Sequence, residues 1–137
     1  MNSSNYIFIL VTTFIISLIA TAVVIWFAKK VKALDIPNSK RKLHKKPIPL
    51  LGGLAVFFSF NLVLLFYLYF TNDLTGDTIR LRNIIGIMIG TLFLMIGGFL
   101  DDKYNLKPRW QILWPIFAVV SVIVGGIGID WITNPFG

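Results

Sequence analysis

The chain has 137 residues, of which 56% are hydrophobic and 15% aromatic, with a mean hydropathy of +0.79 and a formal net charge of +7. Soluble domains carry an apolar share of about 45–50%, so this composition excludes an ordinary soluble domain and indicates an integral membrane protein. The absence of cysteine excludes disulfides, thiolate metal sites and cysteine nucleophiles, and the basic excess lies beside apolar runs, where it reads as a topology signal rather than a nucleic-acid surface.

Tyr6 to Ala28 carries no charge, and about 22 residues reach ~33 Å, enough for a hydrocarbon core of about 30 Å. This predicts a first transmembrane helix over 6–28. Ala20-Thr21-Ala22 has the small-x-small form of a signal-peptide cleavage site. The leader MNSSN, however, has no Lys or Arg, and the cations follow the apolar run, which favours a retained helix with its N-terminus outside. Residues 29–49 hold eight Lys or Arg against one Asp and form a cytoplasmic loop. A second span over 50–70 ends in Tyr67 and Tyr69, amphipathic rings suited to an interface, and its one strongly polar member, Asn61, reads as an interhelical hydrogen-bonding group.

Residues 71–82 form a short outer loop in which Asp73 and Asp77 balance Arg80 and Arg82. A third span covers 83–100, where Gly86 and Gly90 place two small residues on one helix face for close packing. The loop 101–109 returns to the cytoplasm, and a fourth span covers 110–129, with Pro115 early enough to cost at most a kink. By side, eight plus three Lys or Arg fall in the cytoplasmic loops and two outside, which sets the orientation. The expected fold is an all-α membrane protein: residues 1–137 form a single transmembrane region of four helices. The bare tail after Asp130 suggests either a very small protein or the front part of a larger polytopic bundle.

Two polar islands could carry chemistry. The first, DIPNSKRKLHKKPIPLLGG, surrounds the only histidine, His44, with Lys40, Arg41, Lys42, Lys45 and Lys46, then runs through Pro47 and Pro49 into Gly52 and Gly53. Anchoring on anionic lipid accounts for the cations, at about 1 kcal/mol each. It does not account for a histidine, two prolines and a double glycine in the same place. The prolines hold the chain extended, and the glycines permit a tight turn or close approach of backbone to an anion. His44 read alone is a surface histidine; when charged it could pair with phosphate.

The second island, Asp101-Asp102-Lys103, closes the third span, where the last helical carbonyls already present about half a negative charge. Adjacent carboxylates there need a compensating cation. Lys103 is one, and Mg²⁺, which favours oxygen ligands and typically takes one or two carboxylates plus substrate phosphates, is another; Mn²⁺ could substitute. Helix neighbours point about 100° apart, so one Asp can bind metal while the other acts as a base or holds a metal-bound water. The two islands are expected to face each other at the inner leaflet, cations toward a diphosphate and carboxylates toward a divalent metal.

The segments DIPNSKRKLHKKPIPLLGGLAVF and GGFLDDKYNLKPRWQ, in this order, resemble the opening of the polyprenyl-phosphate N-acetylhexosamine-1-phosphate transferases, relatives of the phospho-N-acetylmuramoyl-pentapeptide transferases. The first segment favours the N-acetylglucosamine-type branch. The resemblance implies a bacterial plasma-membrane enzyme of about ten helices with a cytoplasmic site. It would transfer a sugar 1-phosphate from a UDP-sugar to a membrane polyprenyl phosphate in cell-envelope polysaccharide synthesis, releasing UMP and using Mg²⁺; a homodimer is compatible with this. Carried over by position, Asp101 and Asp102 match the family's catalytic and metal-associated pair. Lys42 and His44 match its basic first loop, with Lys45 and Lys46 beside them, and Gly52 and Gly53 match its glycine pair near the phosphates.

Leu51 departs from the family, many members of which carry a basic residue there. The match covers only the front of the family's architecture, without a later Asn/Asp-rich loop and a His-rich loop, so the 137 residues alone are expected to be inactive and poorly packed. The alternative reading is a non-catalytic four-helix membrane scaffold or assembly partner whose charges only set topology. A small channel or transporter fits less well, because the spans hold no buried ionisable residue to mark a path.

Overall fold

The computed structural model describes residues 3–37, 46–70 and 79–128, with side chains from residue 7 onward. In chain order it consists of helix α1 (Ser3–Lys30), strands β1 (Leu34–Asp35) and β2 (Ile48–Pro49), then helices α2 (Gly52–Phe70), α3 (Leu81–Tyr104), α4 (Pro108–Gln111) and α5 (Leu113–Val124). Lys42, His44 and Lys45 lie outside the described residues.

Three helices, spanning Ile7–Lys30, Gly52–Phe70 and Leu81–Tyr104, are long and apolar enough to cross a membrane. Their outward faces carry large apolar side chains such as Phe8, Phe14, Trp26, Phe58 and Leu92, as lipid-facing surfaces do. Several polar side chains of the helices find partners within the protein, as a hydrocarbon environment favours. Thr13 and Thr21 donate to the carbonyls of Ile9 and Ser17 at 2.7 Å, and Ser59 donates to Ala55 O at 2.6 Å. Asn61 donates to Phe57 O at 2.9 Å and across to Thr91 Oγ1 on α3 at 3.2 Å, while Thr91 donates to Met88 O at 2.8 Å.

The fourth apolar stretch differs from a plain span over 110–129. It begins at Pro108, is interrupted at Ile112 and ends at Val124, making it shorter than the other three. Pro115 has no N–H to offer the carbonyl of Gln111 one turn before it, so the helix ladder breaks there. At the far end Gly126 takes φ 89°, Gly126 N–H donates to Ile123 O and Ile127 N–H to Val122 O. This is the paired-bond helix ending that a left-handed glycine permits. Arg82 and Asn83, at the start of α3, complete it: Arg82 Nε and Asn83 Nδ2 donate to Gly125 O at 3.1 and 3.0 Å, and Arg82 also reaches Val124 O at 3.2 Å. A cation on the last carbonyls of α5 also meets the negative end of its dipole.

Helix α1 packs on α2, α2 on α3, and α3 most extensively on α5. The α3–α5 contact uses the small residues noted in the sequence. A Cβ on Gly86 would sit 2.8 Å from Gly125 Cα and 2.9 Å from Ser121 O, and one on Gly90 would sit 3.1 Å from Ala118 O. A Cβ on Gly97 would overlap the Trp114 side chain. The buried core lies at the other end of the bundle, where Val24, Ala28, Ala33, Leu51, Leu54 and Ala55 meet. Since backbone atoms cannot yield as a side-chain tip can, Gly86→Ala is expected to lower thermal stability in detergent micelles by about 1–3 kcal/mol. Gly98→Ala, which meets nothing within 4 Å, is expected to leave it unchanged or slightly raised. Circular dichroism melts of the two variants check this.

Candidate functional site

The site forms where three chain reversals meet at one end of the bundle. The first ends α1. Lys32 takes φ 58°, Ala33 N–H donates to Ala28 O at 3.0 Å, and the buried Ala33 and Ala28 close the turn. Lys29 and Lys30 in the last turn suit the negative end of the helix dipole. From here the chain enters β1, which pairs antiparallel with β2, Leu34 opposite Pro49 and Asp35 opposite Ile48. Leu50 N–H donates to Ala33 O at 3.0 Å and brings the chain back to the end of α1. Two short paired strands therefore flank the basic stretch of the first polar island, whose residues 38–45 lie outside the described residues. Lys46, exposed, stands two residues before β2.

The second reversal is Leu51. Its backbone takes φ 72°, in the left-handed region that costs a branched or bulky residue roughly 1–2 kcal/mol, and its side chain is only 1% exposed. Burying a leucine contributes about 1.5–3 kcal/mol, which offsets that strain. Its carbonyl accepts from Leu54 N–H at 3.0 Å, starting α2, and its own N–H donates to Asp102 Oδ2 at 2.8 Å. The tight turn expected of Gly52 and Gly53 is thus made by Leu51. Both glycines are exposed, hold ordinary helical backbone, and have nothing within 4 Å of where a Cβ would be. They occupy the first two positions of α2, where N–H groups have no partner within the helix and the dipole favours an anion. Leu51, where a basic residue would be in line with the family pattern, turns inward to the core.

The third reversal ends α3. The helix continues past Leu100 through Asp101 and Asp102 to Tyr104, so both carboxylates stand in its last turn, half-buried. Asn105, in the left-handed conformation at φ 52°, donates to Asp101 O at 2.7 Å. The two carboxylates then part company, as a 100° step around a helix requires. Asp102 faces the start of α2. Asp101 faces the turn into α4, where its Oδ1 accepts from Leu106 N–H at 3.1 Å and Gln111 Nε2 at 2.7 Å. Lys103 Nζ lies over the rings of Tyr104 and Phe99, 5.4 and 5.8 Å from their centroids.

Of the residues singled out in the sequence, the structure thus brings Asp102 to the start of α2, where Gly52 and Gly53 stand, while Asp101 in the same helical turn faces α4 and Lys46 stands just before β2. Among the described residues no group of three or more His, Cys, Asp or Glu side chains converges. A donor set of two carboxylates fits a hard cation that completes its shell with substrate phosphates and water, and does not fit a closed structural metal site. Between α2 and α3 a cleft of about 340 Å³ opens beside Asp102, lined by Leu51, Gly53, Phe57, Thr91, Gly98 and Phe99. A larger hollow of about 800 Å³, bounded by Ala20, Trp26, Phe27, Phe58, Met95 and Phe99, carries no ionisable side chain and suits hydrocarbon. Sequence reasoning missed the structural duty of Leu51 and the contact of Gln111 with Asp101. The first has no signal in a leucine, and the second joins residues ten apart across a turn.

The Leu51–Asp102 bond gives a direct test. Asp102→Asn retains an oxygen acceptor and is expected to keep the bond. Asp102→Ala leaves a buried N–H unpaired, at about 1–3 kcal/mol. Hydrogen exchange at the Leu51 amide should quicken by roughly one to two orders of magnitude in Asp102→Ala, and much less in Asp102→Asn.

Several proteins are similar to the chain. A probable undecaprenyl-phosphate N-acetylglucosaminyl 1-phosphate transferase of Bacillus subtilis is 32% identical over 131 residues, 93% of this chain and 34% of the relative. A putative UDP-N-acetylglucosamine–dolichyl-phosphate N-acetylglucosaminephosphotransferase of Saccharolobus solfataricus is 33% identical over 129 residues, 90% of this chain and 36% of the relative. An undecaprenyl-phosphate alpha-N-acetylglucosaminyl 1-phosphate transferase of Pasteurella multocida is 29% identical over 111 residues, 80% of this chain and 28% of the relative. The chain thus spans about a third of the length of the curated relatives it matches. No family model matches it, and no solved structure matches it significantly.

Proposed function

From a chain homologous over nine-tenths of its length to polyprenyl-phosphate N-acetylglucosamine 1-phosphate transferases, we propose that these residues form one wall of a transferase site. The reaction is transfer of N-acetylglucosamine 1-phosphate from UDP-N-acetylglucosamine to a polyprenyl phosphate. An oxygen of the lipid phosphate attacks the sugar-bearing phosphorus, the P–O–P bond to the nucleotide breaks, and UMP leaves with the bridging oxygen. The chain is a multi-pass membrane protein; the proposal adds that the site opens to the cytoplasm of a bacterial cell through its plasma membrane.

What supports this reading above all is the bond from Leu51 N–H to Asp102. It ties Asp102 to the residue just before the glycine start of α2, near the strands that flank the basic stretch, while Asp101 stands beside it in the same helical turn. Joining an anionic phosphate to a diphosphate is opposed chiefly by charge repulsion, so the site must neutralise and align. Asp101 and Asp102 would hold Mg²⁺, for which Mn²⁺ can stand in. Bound there, the ion supplies charge neutralisation on the diphosphate oxygens. The free N–H groups of Gly52 and Gly53 cradle a phosphate at the positive end of α2. Lys42, His44, Lys45 and Lys46 draw both anionic substrates to the loop. The 800 Å³ apolar hollow can take the hydrocarbon of the acceptor lipid. Proton removal by the second aspartate is a minor need, because a phosphate monoester is largely ionised near pH 7. The reading also holds that the 137 residues alone do not turn over, since they correspond to about a third of the length of the relatives.

Radiolabelled UDP-N-acetylglucosamine, undecaprenyl phosphate and Mg²⁺ should yield lipid-linked product in membranes carrying the complete reading frame that contains this chain. Asp101→Asn and Asp102→Asn are each expected to cut the rate by about 10²–10³-fold. Unchanged transfer in both would leave the charges with a topological role only, as in a membrane scaffold.

A further inference from the structure

Resting on the reading in which Asp101 meets a divalent cation, we infer that Gln111 is a positioning residue that locks the Asp101 carboxylate through Oδ1 and presents Oδ2 to the ion. Gln111 is the last residue of α4, ten positions beyond Asp101, and its Nε2 donates in two directions: to Asp101 Oδ1 at 2.7 Å and to Leu106 O at 3.1 Å. Both partners are acceptors, so only the amide nitrogen can face them, and both its hydrogens are used. Leu106 N–H reaches the same Oδ1 at 3.1 Å. Two donors from different elements thus converge on one carboxylate oxygen, and among the described residues none is recorded on the other.

A carboxylate at a helix end ordinarily turns freely about its last torsion. Here the turn from Asn105 to Lys107 brings α4 back against the end of α3, and Gln111 ties the carboxylate plane to that turn. Tying down one oxygen makes the other a single-atom ligand. That suits a small octahedral cation, which needs most of its positions for phosphate and water. It is also how supporting hydrogen bonds orient metal-binding carboxylates in general. Gln111 itself touches neither ion nor substrate.

The test uses the protein from the complete reading frame that contains this chain, in lipid nanodiscs with Mn²⁺ as the probe, bound ion being read by electron paramagnetic resonance. Gln111→Met keeps the length of the side chain and removes the donor. It is expected to weaken Mn²⁺ binding about tenfold while helix content and melting temperature stay at wild-type values. Asp101→Asn should weaken binding at least as much, and the double variant should bind no worse than Asp101→Asn alone, because Gln111 acts only through that carboxylate. Wild-type affinity in Gln111→Met, or losses that add in the double variant, would overturn the positioning role and leave the metal reading standing. A wild-type chain with no affinity for Mn²⁺, or indifference to Asp101→Asn, would remove the metal reading and the inference together. Should Gln111→Met not fold, the side-chain amide of Gln111 in ¹⁵N spectra decides: its resonances must differ between wild type and Asp101→Asn, and identical resonances overturn the inference.

Discussion

A single hydrogen bond, from the Leu51 N–H to Asp102 Oδ2, joins segments 51 residues apart and sets where two helix ends stand relative to each other. On one side of it are the start of α2, its exposed glycines and the strands that flank the basic stretch. On the other is the acidic last turn of α3. The bond is made possible by a leucine in a left-handed conformation, held there because its side chain is the most deeply buried large residue of the core. Local backbone strain is thus maintained by packing against Ala28, Ala33 and Ala55, residues whose small side chains let α1 and α2 approach. Strain of this kind persists only where the surroundings over-determine it.

The opposite end of the bundle is fixed by different means. Arg82 and Asn83 bond the last carbonyls of α5, and below them Gly86 and Gly90 let the two backbones touch. In a membrane the hydrophobic effect gives little reason for one apolar helix to prefer another, so close packing and satisfied polar ends carry the specificity. The Asn61–Thr91 contact does the same for α2 and α3 midway along their length. Helix α3 is therefore held at its start by α5, at its middle by α2, and at its end by Leu51. Both carboxylates are presented from a helix whose position is constrained throughout.

That constraint separates the two aspartates. Adjacent in sequence, they point to different neighbours: Asp102 to the N-terminus of α2 and Asp101 to the turn and Gln111 on α4. A pair of like charges in the last turn of a helix is otherwise unfavourable. Hydrogen-bond donors from the backbone and an amide, with Lys103 nearby over its two rings, make it tolerable without pairing either carboxylate directly to the other.

Much of this was legible from the residues in order. Uncharged runs of helical length marked the three helices long and apolar enough to cross a membrane and the shorter fourth one, because a hydrocarbon core excludes charge whatever the fold. Lys and Arg clustering suggested the loops, and Gly86 with Gly90 marked a contact face, because small residues at that spacing have few other uses in a membrane helix. The Asp101-Asp102 pair stood out as a local anomaly at a helix end. What the order of residues could not show was anything that depends on a partner distant along the chain. That Leu51 and not Gly52 takes the left-handed turn follows from a pocket built by α1. That the fourth apolar stretch stops at Val124 follows from Arg82 and Asn83 reaching across from α3 to a glycine ending. The two carboxylates acquired separate neighbours only when α2 and α4 came to rest on either side of them, since side-chain direction on a helix is local but what it meets is set by packing.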